Sequence, residues 1–316
     1  MTGNVLSIDM GGTQTRAAVV DRRGNLLSRV RSDTPHLSTP EAGVAVVLQV
    51  ARAALNQSAS RDIDAVGLSA PGPIVPRTGV VYAPPNVSGW SEVPLGPIVA
   101  REFGVACFAG NDANLAALGE WKHGAGRGFD DIVYLTVSTG IGSGIISGGR
   151  LIEGKDGLAA EAGHIILEPD GPLCGCGNTG CLEALASGTG IARRAEEQLA
   201  RGEASTLQAL RGHITAHAVA DAAAAGDPLA AAVFQRAATY LGLGIASLIN
   251  VFNPARVILG GGVTHAGELL FGTVRAVAAR RCMPLLGKNT VIVPAALKDD
   301  VGLLGAAVYA FERLSV

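Results

Sequence analysis

Residues 5–21 read VLSIDMGGTQTRAAVVD, and residues 132–147 read IVYLTVSTGIGSGIIS. Each stretch has an apolar run, a turn rich in glycine and threonine, and a second apolar run, which predicts a strand, a tight turn and a strand. The two copies lie too far apart for a repeat array, so they indicate two similar α/β halves with a cleft between them. The repeat places the boundary between the halves near residue 115.

Length and composition limit the classes of partner. At 316 residues the chain is long enough for two domains. The net charge is −2, and basic and acidic residues are interspersed, which argues against a surface that binds the phosphate backbone of nucleic acid. No apolar run approaches the roughly 20 residues of a membrane span, and no basic region precedes the first apolar run. The sequence therefore predicts small-molecule ligands, no nucleic acid, no membrane and a cytoplasmic location.

Three of the five cysteines fall within eight residues, and one histidine precedes them by ten positions. Thiolate and imidazole are the preferred ligands of zinc, and His164, Cys174, Cys176 and Cys181 make up a tetrahedral set. The glycines between the cysteines allow the sharp turns that convergence requires. The alternatives are reduced, buried cysteines without a ligand or a redox disulfide. Cys107 and Cys282, which lie elsewhere, are interpreted as packing residues.

The glycine-rich turns are candidates for binding phosphate. In the first, Gly11 and Gly12 let backbone amides approach phosphate oxygens, Thr13 and Thr15 offer hydroxyl groups, and Asp9 can hold Mg²⁺ through water. The Walker lysine is missing and no helix follows the turn, which excludes a P-loop and a dinucleotide fingerprint. The alternative for either stretch is an ordinary tight turn.

The second turn faces the first if the halves flank a cleft. Thr139, Gly140 and Gly142 are then its candidates for the nucleotide phosphates. After a later strand, Gly261 and Gly262 provide bare backbone against which adenosine can lie.

Acidic residues supply the remaining candidates. Asn111 and Asp112 stand between a strand and a helix, where the helix dipole favours an ionised carboxylate and where α/β proteins bind ligands. An ordinary helix N-cap is the alternative. Glu161 and Glu183 lie close in sequence to the cysteine cluster and can bind vicinal sugar hydroxyls, or they can orient the metal ligands.

Together these motifs resemble the ROK sugar kinases, which share the fold of hexokinase, actin and the heat-shock ATPases. The resemblance spans essentially the whole chain. The motifs that carry it are IDMGGTQTR (8–16), APG (70–72), PNVSGW (85–90), GNDAN (110–114), STGIGSG (138–144), GLAAEAGH (157–164), CGCGNTGCLE (174–183), NPARVILGGGV (253–263) and VGLLGAA (301–307).

The resemblance implies an α/β protein of the actin-like, ribonuclease H-like fold. A small domain would comprise residues 1–115 with a C-terminal helix at 301–316, and a large domain, residues 116–300, would carry the zinc loop and dimer-forming helices. It implies ATP-dependent phosphorylation of a hexose at its 6-hydroxyl, with Mg²⁺ and structural Zn²⁺. Asp112 would be the catalytic base. The residues that would contact the sugar are Asn86, Asn111, Asp112, Glu161, His164 and Glu183, and those that would serve phosphate and Mg²⁺ include Asp9, Gly11, Gly12, Thr13, Thr139 and Gly140.

Several alternatives remain within this resemblance. The substrate motifs are most similar to those of the glucokinases of the family, but N-acetylmannosamine kinases, N-acetylglucosamine kinases and broader hexokinases or fructokinases share much of the pattern. The family also includes sugar-responsive repressors, which carry an N-terminal DNA-binding domain, whereas this chain begins its phosphate-loop strand within five residues of Met1. A non-sugar ATPase would leave the cysteine cluster unexplained. The expected assembly is a homodimer or a dimer of dimers.

Overall fold

The first predicted hairpin is the centre of one sheet. The computed structural model describes residues 3–33, 39–82 and 90–315. Strand β1 (Asn4–Met10) pairs antiparallel with β2 (Gln14–Asp21). Across the turn, the amide of Gly11 donates to the carbonyl of Gln14 at 2.9 Å. The predicted strand, turn and strand are confirmed here.

Five strands form this first sheet among the described residues. The elements that follow β2 are β3 (Val30–Asp33), α1 (Pro40–Gln57), β4 (Ala65–Ala70), β5 (Ile74–Val75), β6 (Val80–Val81), α2 (Leu95–Phe103) and β7 (Cys107–Asn111). The sheet order is β3-β2-β1-β4-β7, with β1 parallel to β4 and β4 parallel to β7. Carboxyl ends of parallel strands meet at one edge of a sheet, so Asp9 and Asn111 approach the same edge.

Both faces of the first sheet are covered, and the side chains of β1 alternate between them. Leu6 and Ile8 pack in the same cluster as the buried side chains of α1. Val5 packs in another cluster, with Leu303 from the last helix of the chain. The Ser7 hydroxyl, also on that face, donates to the Leu303 carbonyl at 2.5 Å. The end of the chain is thereby attached to its beginning.

The second predicted hairpin is the centre of a sheet with the same topology. The elements of this part are α3 (Asp112–His123), β8 (Ile132–Val137), β9 (Ile141–Ser147), β10 (Arg150–Leu151), α4 (Leu182–Ala186), α5 (Gly188–Ala200), α6 (Ala216–Ala224), α7 (Pro228–Phe252), β11 (Arg256–Gly260), α8 (Glu268–Arg281), α9 (Pro284–Asn289) and β12 (Val291–Pro294). The order β10-β9-β8-β11-β12 repeats the first sheet, with two antiparallel pairs followed by two parallel pairs. The inference of two similar α/β halves is confirmed by this shared order.

Helix α7 is the central helix of the second core. Asp227 caps it by accepting from the Ala230 amide at 3.0 Å, and Pro228 occupies its first turn. Among the described residues it is the one helix long and apolar enough to cross a membrane by length and composition alone. Because 61% of its most apolar window is buried inside the protein, these properties are those of a core helix.

Helix α3 and the last helix, α10 (Val301–Leu314), cross each other between the two sheets. They touch through glycine: a Cβ at Gly305 would lie 1.8 Å from the carbonyl oxygen of Leu115, and one at Gly119 would lie 2.7 Å from that of Val301. The division into domains of residues 1–115 and 116–300 stays a prediction.

Candidate active site

Asp112 lies where β7 ends and α3 begins. Asn111 is the N-cap of α3, and its side-chain oxygen accepts from the amides of Ala113 at 3.0 Å and Asn114 at 3.2 Å. The N-cap interpretation of Asn111 is therefore correct, and within the described part of the chain no hydrogen bond occupies its side-chain nitrogen. The Asp112 carboxylate accepts from the Ala113 amide at 2.8 Å, and Asp112 is exposed.

The surroundings of Asp112 shift its acidity. Desolvation by the cleft walls raises the pKa of Asp112 to about 6, although the hydrogen bond from Ala113 opposes this change. The negative charges of Asp9 and Glu161 raise the pKa further. Asp9 belongs to the first hairpin and Glu161 to the loop beside the cysteine cluster. Because the charges of both act on its carboxylate, Asp112 lies between these two regions.

The first hairpin presents an exposed turn beside a partly buried acid. Gly12 and Thr13 are exposed at the turn. Asp9 accepts from the Ser69 hydroxyl at 2.9 Å and lies 3.5 Å from the Arg16 guanidinium, and desolvation raises its pKa. Thr15 is only 1% exposed, inside β2, so its burial gives no support to the predicted contact with a nucleotide.

The second hairpin contacts Glu183. The Ile141 amide donates to Glu183 Oε2 at 2.9 Å, and a Cβ at Gly140 would lie 2.5 Å from the same oxygen. Glycine at 140 therefore gives this carboxylate room to reach the turn. Gly142 lies within β9, where a Cβ would lie 2.9 Å from the Ala113 side chain, so packing against α3 already requires a glycine there.

Strand β9 also supports the loop that carries Glu161 and His164. The Ser143 hydroxyl donates to the Ala160 carbonyl and accepts from the Ala162 amide. Ala160 has a φ of +69°, a left-handed conformation that costs roughly 1–3 kcal/mol for a non-glycine residue. Desolvation raises the pKa of Glu161, while His164 lowers it and Glu183 raises it. Glu161, His164 and Glu183 therefore lie together.

The four predicted metal ligands converge. His164, Cys174, Cys176 and Cys181 each bring one ligand atom to within 4.8 Å of all the others. The distance from Cys174 Sγ to His164 Nδ1 is 3.6 Å, and the two sulfurs of Cys176 and Cys181 are 3.7 Å apart. Zinc bonds of about 2.3 Å to sulfur require sulfur separations of roughly 3.8 Å in a tetrahedral site. The residues fit zinc, and the sulfurs of Cys176 and Cys181, 3.7 Å apart, form no disulfide in this structure.

Tight turns create this convergence. The Cys174 amide donates to the Asn178 carbonyl at 2.8 Å, and Gly177 and Gly180 have φ values of +92° and +68°. Glu183 joins the metal cluster to the second hairpin, since its Oε1 lies 3.6 Å from Cys174 Sγ.

A cavity of about 650 Å³ opens beside the second hairpin. Thr139 and Gly262, two of the predicted nucleotide residues, lie in its wall. The rest of the wall comes from the starts of α5 and α8, the length of α6 and the 3₁₀ turn Gly262–Ala266. Its volume and its predominantly apolar wall with a few polar groups are typical of a site for a drug-sized ligand.

The sequence profile of the ROK family matches residues 5–313. The chain belongs to the ROK family. A glucokinase of Thermotoga maritima is 39% identical over 313 residues, which cover 98% of each chain. The ROK hexokinase of Thermus thermophilus is 36% identical, with a TM-score of 0.83 and 99% of each chain covered. A ROK glucokinase of Streptomyces griseus, solved with glucose and AMPPNP, is 36% identical, with a TM-score of 0.81 over 96% of this chain and 98% of its own.

These likenesses confirm the fold class that the motifs implied, an actin-like pair of α/β sheets in a ROK protein. Among the predicted site residues, Asn86 lies outside the described part of the chain. Gly261 has a φ of +87° and packs against the backbone of Val137, where a Cβ would lie 2.4 Å from the carbonyl oxygen. The close packing against Val137 therefore explains the glycine at 261, whereas Gly262 lines the cavity.

The sequence predictions did not include most of the cavity wall in this ROK chain. Thr189, His217, Asp221 and His265 bring polar groups to it. Thr189 is also bound to the second hairpin, since its hydroxyl donates to the Thr139 carbonyl at 2.8 Å. The one available signal was the run of small residues in α6, AHAVADAAA, which leaves room beside a helix.

Proposed function

We propose that this protein transfers the γ-phosphoryl group of ATP to the 6-hydroxyl of glucose. The observation that carries the proposal is the position of Asp112, a carboxylate with a pKa of about 6 that is open to the cleft and under the influence of both Asp9 and Glu161. A base with this pKa is largely ionised at neutral pH and still able to accept a proton. The glucose and AMPPNP complex of the Streptomyces griseus relative supports the choice of both substrates.

Asp112 would act as the catalytic base. Its carboxylate accepts the proton of the 6-hydroxyl as the bond from this oxygen to the γ-phosphorus forms and the bond from phosphorus to the ADP oxygen breaks. Phosphoryl transfer depends mainly on alignment and charge stabilisation, so the position of the carboxylate at the start of α3 matters as much as its basicity.

The two hairpins would hold the phosphates of ATP from opposite sides. Gly11, Gly12 and Thr13 would donate from the first turn, and Thr139 and Gly140 from the second. The adenosine would occupy the cavity beside Thr139 and Gly262. Asp9 offers the oxygen ligand that Mg²⁺ prefers, and a bound Mg²⁺ would neutralise charge on the phosphates.

The sugar would lie against the loop beside the cysteine cluster. Glu161, His164 and Glu183 lie together there, and Asn111 would contribute its side-chain nitrogen from the opposite wall. Since Nδ1 of His164 faces the sulfurs, Nε2 is the ring nitrogen left for a sugar hydroxyl. Zinc held by His164 and the three cysteines would fix this wall without entering the reaction. Asn86 is proposed as a further sugar contact on the family resemblance alone.

The remaining proposals concern the whole protein. We assign it two domains, residues 1–115 with helix 301–316 and residues 116–300, whose closure would exclude water from the transfer. We also assign it to the cytoplasm and to a homodimer or a dimer of dimers. Ile166 and Leu173, 51% and 66% exposed near the metal cluster, offer apolar surface for such an assembly.

A coupled assay of ADP release tests the function. The purified protein is given ATP and Mg²⁺ with glucose, mannose, fructose, allose, N-acetylglucosamine or N-acetylmannosamine, and each sugar product is identified by mass spectrometry. We expect the highest kcat/KM for glucose, with glucose 6-phosphate as its product. A higher kcat/KM for an N-acetyl sugar would make that sugar the substrate, and glucose binding without any ADP release would favour a sugar-sensing protein.

A further inference from the structure

Glu120 is a fully buried carboxylate outside the site described above. It lies two turns into α3, and its side chain is 0% exposed. Within the described residues, no cationic side chain pairs with it. Its partners are backbone amides: Oε1 accepts from Ala296 at 2.9 Å and from Leu297 at 2.8 Å, and Oε2 accepts from Ala125 at 2.7 Å.

These amides lie at the places where the chain passes between the two sheets. Ala125 follows α3 and precedes β8, the first strand of the second sheet. Ala296 and Leu297 follow β12, the last strand of that sheet, and precede α10, which packs on the first sheet. A single carboxylate therefore joins both connections, and each hydrogen bond is assisted by its charge.

The connection that contains Ala296 and Leu297 leads directly to Asp9. Five residues after Leu297, Gly302 lies in the first turn of α10, and a Cβ there would lie 2.4 Å from the Asp9 carboxyl carbon. In the other direction, α3 extends from Glu120 back to Asp112, about 12 Å at the helical rise of 1.5 Å per residue. Glu120 thus stands between the proposed base and the acid proposed for the phosphate side.

The packing around Glu120 allows little adjustment. A Cβ at Gly124 would lie 2.1 Å from Glu120 Oε2, and α3 and α10 touch through Gly119 and Gly305 without intervening side chains. A contact between two backbones transmits a displacement of one helix directly to the other.

We propose that Glu120 is a positioning residue that holds α10, and through it Asp9, in a fixed place relative to Asp112. This inference rests on the proposed function. Glu120 touches neither substrate and acts through the amides of 296 and 297. Loss of one accepting oxygen leaves the proposed sugar wall and nucleotide cavity intact but loosens the connection that enters α10 at 296 and 297, so that the phosphoryl donor and the base lose alignment.

The test compares Glu120→Gln with a matched control. Gln keeps the volume but replaces one accepting oxygen by an amide group that cannot accept a hydrogen bond. Glu312→Gln is the control, because Glu312 also joins α10 to α3, through Lys122 at 3.3 Å, but on the surface, where ion pairs contribute little. The measurements are kcat, the Kd of glucose by calorimetry, and hydrogen exchange at the amides of 125, 296 and 297.

We expect Glu120→Gln to lower kcat on the order of 10-fold to 100-fold. The Kd of glucose should stay unchanged, and the amides that face the new NH2 group, either Ala125 or the pair at 296 and 297, should exchange faster. Glu312→Gln should keep kcat within about twofold of the wild type. Faster exchange with a normal kcat would overturn the proposal, because release of α10 would then leave alignment intact. Unchanged exchange would overturn it as well.

If Glu120→Gln does not fold, hydrogen exchange of the wild-type protein tests the proposal instead. Protection of the amides of 296 and 297 in both the free protein and its complex with glucose and AMPPNP supports the proposal, and loss of protection in the complex overturns it. This readout needs no turnover, so failure of the proposed function would appear separately, as a wild-type protein that binds glucose without releasing ADP.

Discussion

The chemistry at the scale of single residues depends on where Asp112 lies relative to other acids. Asp9, Asp112 and Glu161 come from three separate segments, and each has its pKa raised mainly by desolvation. Such a group of acids is unfavourable without ligands, because the carboxylates repel one another. Bound Mg²⁺ and sugar hydroxyl groups would relieve this repulsion, which gives the free energy of binding a direct electrostatic source.

The pKa of Asp112 predicts the pH dependence of the reaction. Because the base must be ionised, kcat/KM for glucose should fall as the pH decreases through about 6 and should level off above it. A pH profile of kcat/KM measures this limb, and thermal melts at each pH show whether the enzyme stays folded. An acid limb centred at about 4, the ordinary pKa of aspartate, would contradict the proposed environment of Asp112.

At the scale of elements, β9 holds the residues that are proposed to bind the sugar. Its Ile141 amide holds Glu183, its Ser143 hydroxyl holds the loop of Glu161, and its bare Gly142 and Gly144 let α3 approach. The sequence showed this stretch as a glycine-rich turn that ends at residue 144, whereas β9 begins at Ile141. The predicted turn is wrong there, since these glycines serve close packing of a strand against a helix.

Other element boundaries show the same limit of sequence reasoning. The sequence of residues 184–202 predicts one helix, but the structure has two, because Ser187 ends α4 and its side chain caps α5 by accepting from the Gly190 amide. The apolar stretch LLSRV predicts a strand at 26–30, but β3 begins only at Val30. By contrast, the helices that the sequence predicts at 41–56 and 113–124 match α1 and α3 to within one residue at each end, since each has a clear start signal.

The loop that carries the cysteine cluster can be tested by substitution of one metal ligand. Cys176→Ser removes one thiolate, so we expect zinc to fall from about one ion per chain to near zero and the KM for glucose to rise, because His164 loses its fixed orientation. Metal analysis by mass spectrometry and steady-state kinetics measure both effects.

Cys107→Ser is the matched control for the loop. Cys107 lies in β7, outside the metal cluster, and its substitution should leave the zinc content unchanged. A wild-type protein without zinc, or a Cys176→Ser protein that keeps its full zinc content, would contradict the proposed zinc site.

At the scale of the molecule, the duplicated hairpins were sufficient to predict two sheets and a cleft. They were not sufficient for the cavity proposed to hold the nucleotide, whose wall extends from Ser138 to Leu269 and unites segments with no shared pattern. Glu120 was equally hidden, because its partners at 296 and 297 lie more than 170 positions away. Local patterns reveal turns and metal ligands, whereas contacts between distant segments require the folded chain.

The proposed reaction depends most on Asp112 as the base between the hairpin proposed for phosphate and the loop proposed for the sugar. The most direct measurement is kcat of Asp112→Asn with saturating glucose and ATP, alongside calorimetric titration of glucose. We predict a loss in kcat of about 10²-fold to 10⁴-fold, the usual contribution of a general base, with glucose still bound. A variant that phosphorylates glucose at a near-normal rate would contradict the account.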